Sequence, residues 1–291
     1  MALNLEDYYL PASLQEASEL LQRYGAGAMV VAGGTFVHGL EVRGLLAETV
    51  ALVDINRLGL RGISENSDGS LSLKALTTLA EVGAEQLISR NPALACIGDA
   101  LRYPPRQILN VGTVGGCVAA AAPLYDLPAA FLALDGQVQT SLAARQRTIP
   151  LDDFFVGLFE SALQRGEIIT AVDLPAPAAR TVSAFLKLET NANDLSLLNV
   201  AVRLTLDQAG KCADSRIVLG GGVGETYVRA TRAEAALRGQ AASETSFAAA
   251  ATAVVDDFEA VEDHRASAAY RRHIAQVYLR RALATALARL G

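Results

Sequence analysis

The stretch Asn110-Val111-Gly112-Thr113-Val114-Gly115-Gly116-Cys117-Val118-Ala119-Ala120-Ala121-Ala122-Pro123-Leu124-Tyr125-Asp126 places three glycines within five residues, follows them with small apolar side chains and ends on a single acid. Glycines this dense let the backbone turn through φ > 0 and approach a ligand closely. Successive N–H groups in such turns form concave nests that hold anions such as a pyrophosphate. The alanines leave room for something flat and bulky, and Asp126 can accept hydrogen bonds from sugar hydroxyls. Asp126 also opens an apparent helix, Asp126–Leu134, at or near its N-cap. Cap and sugar ligand are not exclusive, because a carboxylate has two oxygens.

A second glycine stretch lies upstream, Val30-Val31-Ala32-Gly33-Gly34-Thr35-Phe36. It reads as an apolar strand feeding a phosphate-cradling turn. Neither stretch matches G-x-G-x-x-G opening a helix, nor G-x-x-x-x-G-K-[ST], so a Rossmann dehydrogenase and a P-loop enzyme are disfavoured. Two such turns about eighty residues apart point to a long ligand gripped between subdomains.

The rest of the chain supplies the scaffold. Ser13-Leu-Gln-Glu16 and Thr78-Leu-Ala-Glu81 have the spacing of capping boxes, as does Thr231-Arg-Ala-Glu234. A short buried strand is expected at Ala28–Ala32 and another at Thr49–Ile55, forming a βαβ-like unit with the Gly33-Gly34 turn after its first strand. Further strands are expected at Ser70–Ala75, Gln137–Leu142, Glu167–Leu174, Ser183–Leu188, Asn199–Leu206 and Arg216–Leu219. Pro175-Ala-Pro177 marks the domain boundary. Helices follow at about Thr245–Phe258 and Ser267–Leu290, the last carrying Tyr270, Ile274, Val277, Tyr278 and Ala282 on one side.

Composition narrows the function classes. The 291 residues are 51% hydrophobic, enough for two cored domains, and the net charge of −6 without a basic block excludes an electrostatic nucleic-acid binder. No apolar run reaches the ~18 residues that span a bilayer, and the N-terminus shows no secretory signal. Cys96, Cys117 and Cys212 are too far apart for a metal knuckle and odd in number, which points to a reducing, cytoplasmic setting. Three cysteines cannot supply the roughly four ligands of an iron–sulfur cluster.

The paired motifs A-G-G-T and N-x-G-T-V-G-G-x-x-A-x-x-x-P-x-x-D resemble those of the flavoprotein (medium) subunits of the molybdenum hydroxylases, the family of xanthine dehydrogenase and bacterial carbon monoxide dehydrogenase. Asp54-Ile-Asn56, Gly220-Gly-Gly-Val-Gly224 and Ala268–Ile274 share the likeness, which covers nearly the whole chain. The resemblance implies an α+β protein: a two-part FAD-binding module of the vanillyl-alcohol oxidase type over residues 1–176 (subdomains about 1–56 and 57–176), then a C-terminal α+β domain over 177–291.

It further implies non-covalent FAD. Ala32, Gly33, Gly34, Thr35, Phe36 and Val37 would wrap the pyrophosphate, helped by Thr113, Gly115 and Gly116, with Cys117 a small filler beside the cofactor. Asp126 would bind ribose, and Ile108 and Asn110 would lie near the ring. Lys187 is open between a flavin contact and a solvated strand lysine. No side chain is expected to act as a nucleophile or base, since the chemistry is the cofactor's. By the same resemblance, a large partner subunit with a molybdenum cofactor and a small partner with 2Fe–2S clusters would feed this FAD, within a dimer of heterotrimers. The substrate stays open among carbon monoxide, purines, other N-heterocycles, aldehydes and acyl-CoA, with a lean towards an aromatic or N-heterocyclic compound. Leu109, Cys117 and Glu189-Thr-Asn191 depart from the family's charge pattern, so a shifted flavin potential or acceptor preference is expected. The alternatives are a stand-alone FAD oxidoreductase of the same fold and a scaffold that has lost the cofactor.

Overall fold

The computed structural model describes residues 5–191 and 194–290. A small parallel sheet comes first, with strand order Asp7–Tyr9, Ala51–Asp54, Ala28–Val31. The helix Thr35–Val42 lies in the crossover between its last two strands, giving the expected βαβ unit. Ala51–Asp54 is buried along its whole length as the central strand, whereas Ala28–Val31 is only half-buried, not the buried strand expected. Its Met29 and Val30 line an open cleft, and Val30 also packs against the small core of Ala17, Leu20, Val53 and Ile55.

A five-stranded antiparallel sheet follows, in the order Ile63–Glu65, Leu71–Lys74, Ile168–Leu174, Gln137–Leu142, Arg145–Pro150. Two of these strands escape the sequence pattern. Arg145–Pro150 is polar, and its hairpin turns on Ala143-Ala144, with Ala143 at φ 53 where Asn or Gly is the usual signal. Ile63–Glu65 is a three-residue edge strand. Short helices, Leu79–Ala84, Ala95–Ala100 and Leu127–Ala133, pack with this sheet around Leu73, Ile97, Phe131 and Leu174. The capping box at Thr78 forms completely, its hydroxyl accepting from the Glu81 amide and Glu81 accepting from the Thr78 amide. At Ser13 only half forms, because Glu16 turns to the Ala12 amide.

The third sheet, Thr181–Leu188, Leu198–Leu206, Cys212–Gly221 and Val228–Arg229, is antiparallel. One face carries Val200, Val202, Leu204 and Leu219 against the C-terminal helices. The other turns Phe185, Ala201 and Val218 into the core of the preceding sheet. Burial on both faces explains the near-continuous apolar runs of these strands.

Two helix expectations need correcting. Thr231 lies inside the helix Thr231–Leu237, whose N-cap is Ala230, so no capping box forms there. Glu234 is buried and accepts instead from the Ile217 amide and the Arg229 guanidinium. The long helix Ala268–Leu287 buries Arg271, Ala275, Leu279, Ala282, Leu283 and Ala286, a seam rotated from the expected stripe, while Tyr270 is exposed. Alanine and leucine fit closely over the sheet, and the tyrosines are left at the rim.

Arg271 is 1% exposed and presses on Gly222, where any side chain would overlap its guanidinium. It donates to Val261 O at 2.5 Å and to both Asp263 oxygens at 2.8 and 2.9 Å. Burial alone would push the Asp263 carboxyl up; the Arg271 guanidinium and the amides of Arg265 and Ala266 outweigh it and hold the group at about 2. A carboxyl depressed on folding stabilises the native state above its unfolded pKa, and that contribution is lost as pH falls through the folded value. Acid titration of stability is therefore expected to show a loss between about pH 4 and 2 that Asp263→Asn lacks; parallel curves for the two proteins would contradict this.

The last turn is fastened as well. Arg289 donates to both oxygens of the buried Asp99, at 2.7 and 2.8 Å, and to Ser183 O at 2.6 Å. Asp99 also accepts from the Phe185 amide, so the C-terminus, the third sheet and the helix Ala95–Ala100 meet at one carboxylate.

Candidate functional site

The two glycine stretches meet in space. A Cβ on Gly33 would sit 2.6 Å from the Val111 carbonyl carbon and closer still to its oxygen. Only glycine allows that approach. Gly34 answers a different need: it takes φ 71 as N-cap of Thr35–Val42, with open space where a side chain would stand. The amides of Thr35, Phe36 and Val37 donate to no acceptor among the described residues; the first helical bond runs from His38 N to Gly34 O at 2.9 Å. These free amides are the ready anion site of a helix N-terminus.

They open into a cleft of about 1020 Å³, continuous with the surrounding solvent and lined by Ala32, Gly33, Gly34, Thr35, Phe36 and Val37 from one side and Thr113, Gly115, Gly116 and Cys117 from the other. A second cleft of about 800 Å³ is lined by Leu79, Leu101, Pro104, Pro105, Ile108, Leu124, Asp126, Lys187 and Leu195. Thr35, Cys117 and Tyr125 line both, so the two are chambers of one trough. Tyr125 meets Phe36 edge-on, with ring centroids 6.4 Å apart, at the junction.

The trough fits an elongated dinucleotide. A glycine cradle with three unpartnered amides suits a dianion, and the flat apolar walls of the second chamber suit an aromatic ring system. The helix Val114–Ala119 contributes otherwise than expected. Its Val114 amide donates to Thr77 O at 2.9 Å, Gly115 to Ala75 O at 2.8 Å and Gly116 to the Thr113 hydroxyl at 3.1 Å. Gly115 and Gly116 therefore supply thin backbone wall, not free donors. At Gly115 a Cβ would lie 2.7 Å from that of Ala75.

Asp126 occupies the N-cap position of Leu127–Ala133 but caps nothing. Its Oδ2 accepts from Lys187 Nζ at 2.9 Å and its Oδ1 from the Ser196 hydroxyl at 2.6 Å, with the Asn199 side-chain amide at 3.5 Å. Burial pushes its carboxyl up, against the ammonium, hydroxyl and amide that pull it down. Lys187 is not the solvated strand lysine of one sequence reading: its side chain is 4% exposed and its ammonium lies 5.2 Å from the Tyr103 ring centroid.

Asn110 is exposed and lines neither chamber, unlike the other candidate cofactor-binding residues. It stands on the outer side of Arg106–Val111, while Ile108 points inward. The sequence reading missed Tyr125, Ser196 and Asn199. Tyr125 adjoins Asp126 and was within reach of the motif. Ser196 and Asn199 arrive from a loop and strand some seventy residues on, with no local pattern to flag them.

Burial pushes the Cys117 thiol up to about 12, and likewise that of Cys96. A thiol so protonated is a poor nucleophile, so a covalent flavin link through Cys117 is disfavoured. Alkylation of the native protein at pH 8 is expected to leave the buried Cys96 unmodified while the denatured chain reacts fully; rapid native labelling of Cys96 would contradict this.

Among the described residues no three His, Cys, Asp or Glu side chains are grouped to hold a metal, and no helix is long and apolar enough to cross a membrane. Residues 3–177 match the family model described as the FAD binding domain in molybdopterin dehydrogenase, and residues 183–286 match the CO dehydrogenase flavoprotein C-terminal domain. The chain is 35% identical to the 6-hydroxypseudooxynicotine dehydrogenase complex subunit alpha of Paenarthrobacter nicotinovorans, covering 97% of this chain and 95% of that one. It is 30% identical to the carbon monoxide dehydrogenase medium chain of Hydrogenophaga pseudoflava, covering 97% of each. Among solved structures, a carbon monoxide dehydrogenase of Hydrogenophaga pseudoflava lacking the Mo-pyranopterin moiety superposes with TM-score 0.92 at 32% identity over 99% of both chains. Quinoline 2-oxidoreductase of Pseudomonas putida 86 gives 0.90 at 26% identity, over 99% of both. The chain, with its FAD-binding domain and flavoprotein C-terminal domain, belongs to the medium, FAD-binding subunits of the molybdenum hydroxylase family of oxidoreductases.

Proposed function

We propose that this subunit passes electrons from partner 2Fe–2S clusters through one non-covalent FAD to an external acceptor, while a larger molybdenum-cofactor partner performs the hydroxylation or dehydrogenation. The observation that carries the reading is the bent trough, with unpartnered amides at Thr35, Phe36 and Val37 and an apolar chamber beyond Tyr125. When bound, the flavin supplies the redox chemistry. The chain's residues bind and orient it. The amides of Thr35–Val37 hold the pyrophosphate, and Gly33 lets the two backbones close around it. Asp126, held by Lys187 and Ser196, faces the sugar hydroxyls, and Pro104, Pro105, Ile108 and Leu101 exclude water from the ring.

In this reading residues 1–176 form the flavin module and 177–291 the domain that walls the second chamber with Lys187. The assembly is a dimer of heterotrimers in the cytoplasm, and substrate recognition lies on the large partner. The test is co-expression with the large and small partner subunits, followed by anaerobic addition of a substrate that the complex turns over. Bleaching of the flavin band in the full complex, but not in this subunit alone, is expected. Turnover by the isolated chain would favour the stand-alone flavoenzyme instead.

A further inference from the structure

The Lys187 ammonium has a second carboxylate beside it. Glu189 Oε2 lies 3.4 Å from Nζ, on the other side of one residue from the buried Asp126 pair. That oxygen is itself buried and, among the described residues, accepts no hydrogen bond. One cation thus stands between two anions. The neighbouring acids do not need it: Asp194 is paired with Arg265 at 3.2 Å, and Asp99 with Arg289 at 2.7 Å. The segment from Thr190 to Asn193 carries no charge in sequence. Glu189 itself lines neither chamber; it sits behind Lys187, which does, so with Asp126 ionised the group Asp126–Lys187–Glu189 beside the second chamber carries one surplus negative charge.

We propose that Glu189 is a positioning residue that lowers the reduction potential of the flavin. Resting on the assignment of the ring to this chamber, it does so by leaving the Asp126–Lys187 pair with a net negative charge. A reduced flavin carries more negative charge than the oxidised ring, and a fixed anion in a water-poor cleft disfavours that gain. Without Glu189 the ammonium would be matched one to one by Asp126. With it, the pair is over-neutralised, and electrons leave the reduced ring more readily. Because the charges are buried, added salt screens the effect poorly.

The experiment titrates FAD into the apo-subunit and then equilibrates the loaded protein with a reference dye under reducing conditions, for wild type, Glu189→Gln and the exposed control Glu259→Gln. Glu189→Gln is expected to shift the flavin–dye equilibrium about tenfold towards reduced flavin, about 30 mV for a two-electron couple, with FAD affinity unchanged. Glu259→Gln should match wild type. Glu189→Ala, which removes the charge without an isosteric amide, should shift the same way if Glu189→Gln folds poorly. An unshifted equilibrium in both Glu189 variants, or an equal shift in the control, overturns the inference. So does a tenfold loss of FAD affinity at an unchanged potential, which would make Glu189 a direct ligand. Failure of wild type to bind FAD would instead bring down the functional reading beneath it.

Discussion

Gly33→Ala is expected to destroy the site and to destabilise the fold by about 3 kcal/mol or more, at or beyond the upper end of ordinary overpacking. The added methyl meets the Val111 carbonyl, which is backbone, so no side-chain rotation can relieve the clash. Val111 ends the helix Arg106–Val111, and Gly112 begins the turn into Thr113 and Val114–Ala119. Pushing these apart separates the pyrophosphate amides from the opposite wall of the trough. Urea denaturation and FAD titration measure the two consequences. A stability within 1 kcal/mol of wild type, with FAD retained, would contradict the close approach. Gly34→Ala is the informative neighbour: its cost is the φ of 71 alone, since nothing occupies the space its methyl would enter. A loss of roughly 1–2 kcal/mol, the ordinary cost of the left-handed region, is expected there.

Lys187→Met is the second large effect. Both side chains of the Asp126–Lys187 pair are nearly inaccessible, at 7% and 4% exposure, so removing the ammonium leaves a carboxylate buried without its counter-ion. Breaking such a pair costs about 3–5 kcal/mol, whereas replacing both partners by neutral groups of similar size is often far milder. Lys187→Met is therefore expected to lose about 3 kcal/mol or more, and Asp126→Asn combined with Lys187→Met to recover a large part of it. Denaturant curves on the two single variants and the double variant close the cycle. Additive losses would show that the two residues act independently and would remove the buried pair from the account.

Much of the flavin module was legible because its constraints are local. Glycine at Gly33 and Gly34, the capping box at Thr78 and the strand–crossover–strand spacing each announce themselves within a few residues. The third sheet was legible too, through its long apolar runs. What escaped depends on pairing across the chain. The strand Arg145–Pro150 is polar and turns on alanines, so only its partner Gln137–Leu142 reveals it. Glu234 mimics the last position of a capping box, yet the buried Ile217 amide and Arg229 claim it. Gly115 carries a nest-like signature, but Ala75 O takes its amide. Lys187 could be read from sequence either as a flavin contact or as a solvated strand lysine; its partner Asp126 lies sixty-one residues earlier, beyond any local pattern. The spacing of motifs carried the cofactor, whereas the electrostatics of its second chamber required the fold.

The most direct measurement is a titration of the purified apo-subunit with FAD, followed by acid release and mass analysis of the bound flavin. Saturation at one FAD per chain, quenching of flavin fluorescence, complete release of unmodified FAD and loss of binding in Gly33→Ala are expected. Absence of saturable binding by the folded wild-type chain, or flavin that stays attached after acid, would contradict one FAD held in the joined chambers without a covalent bond.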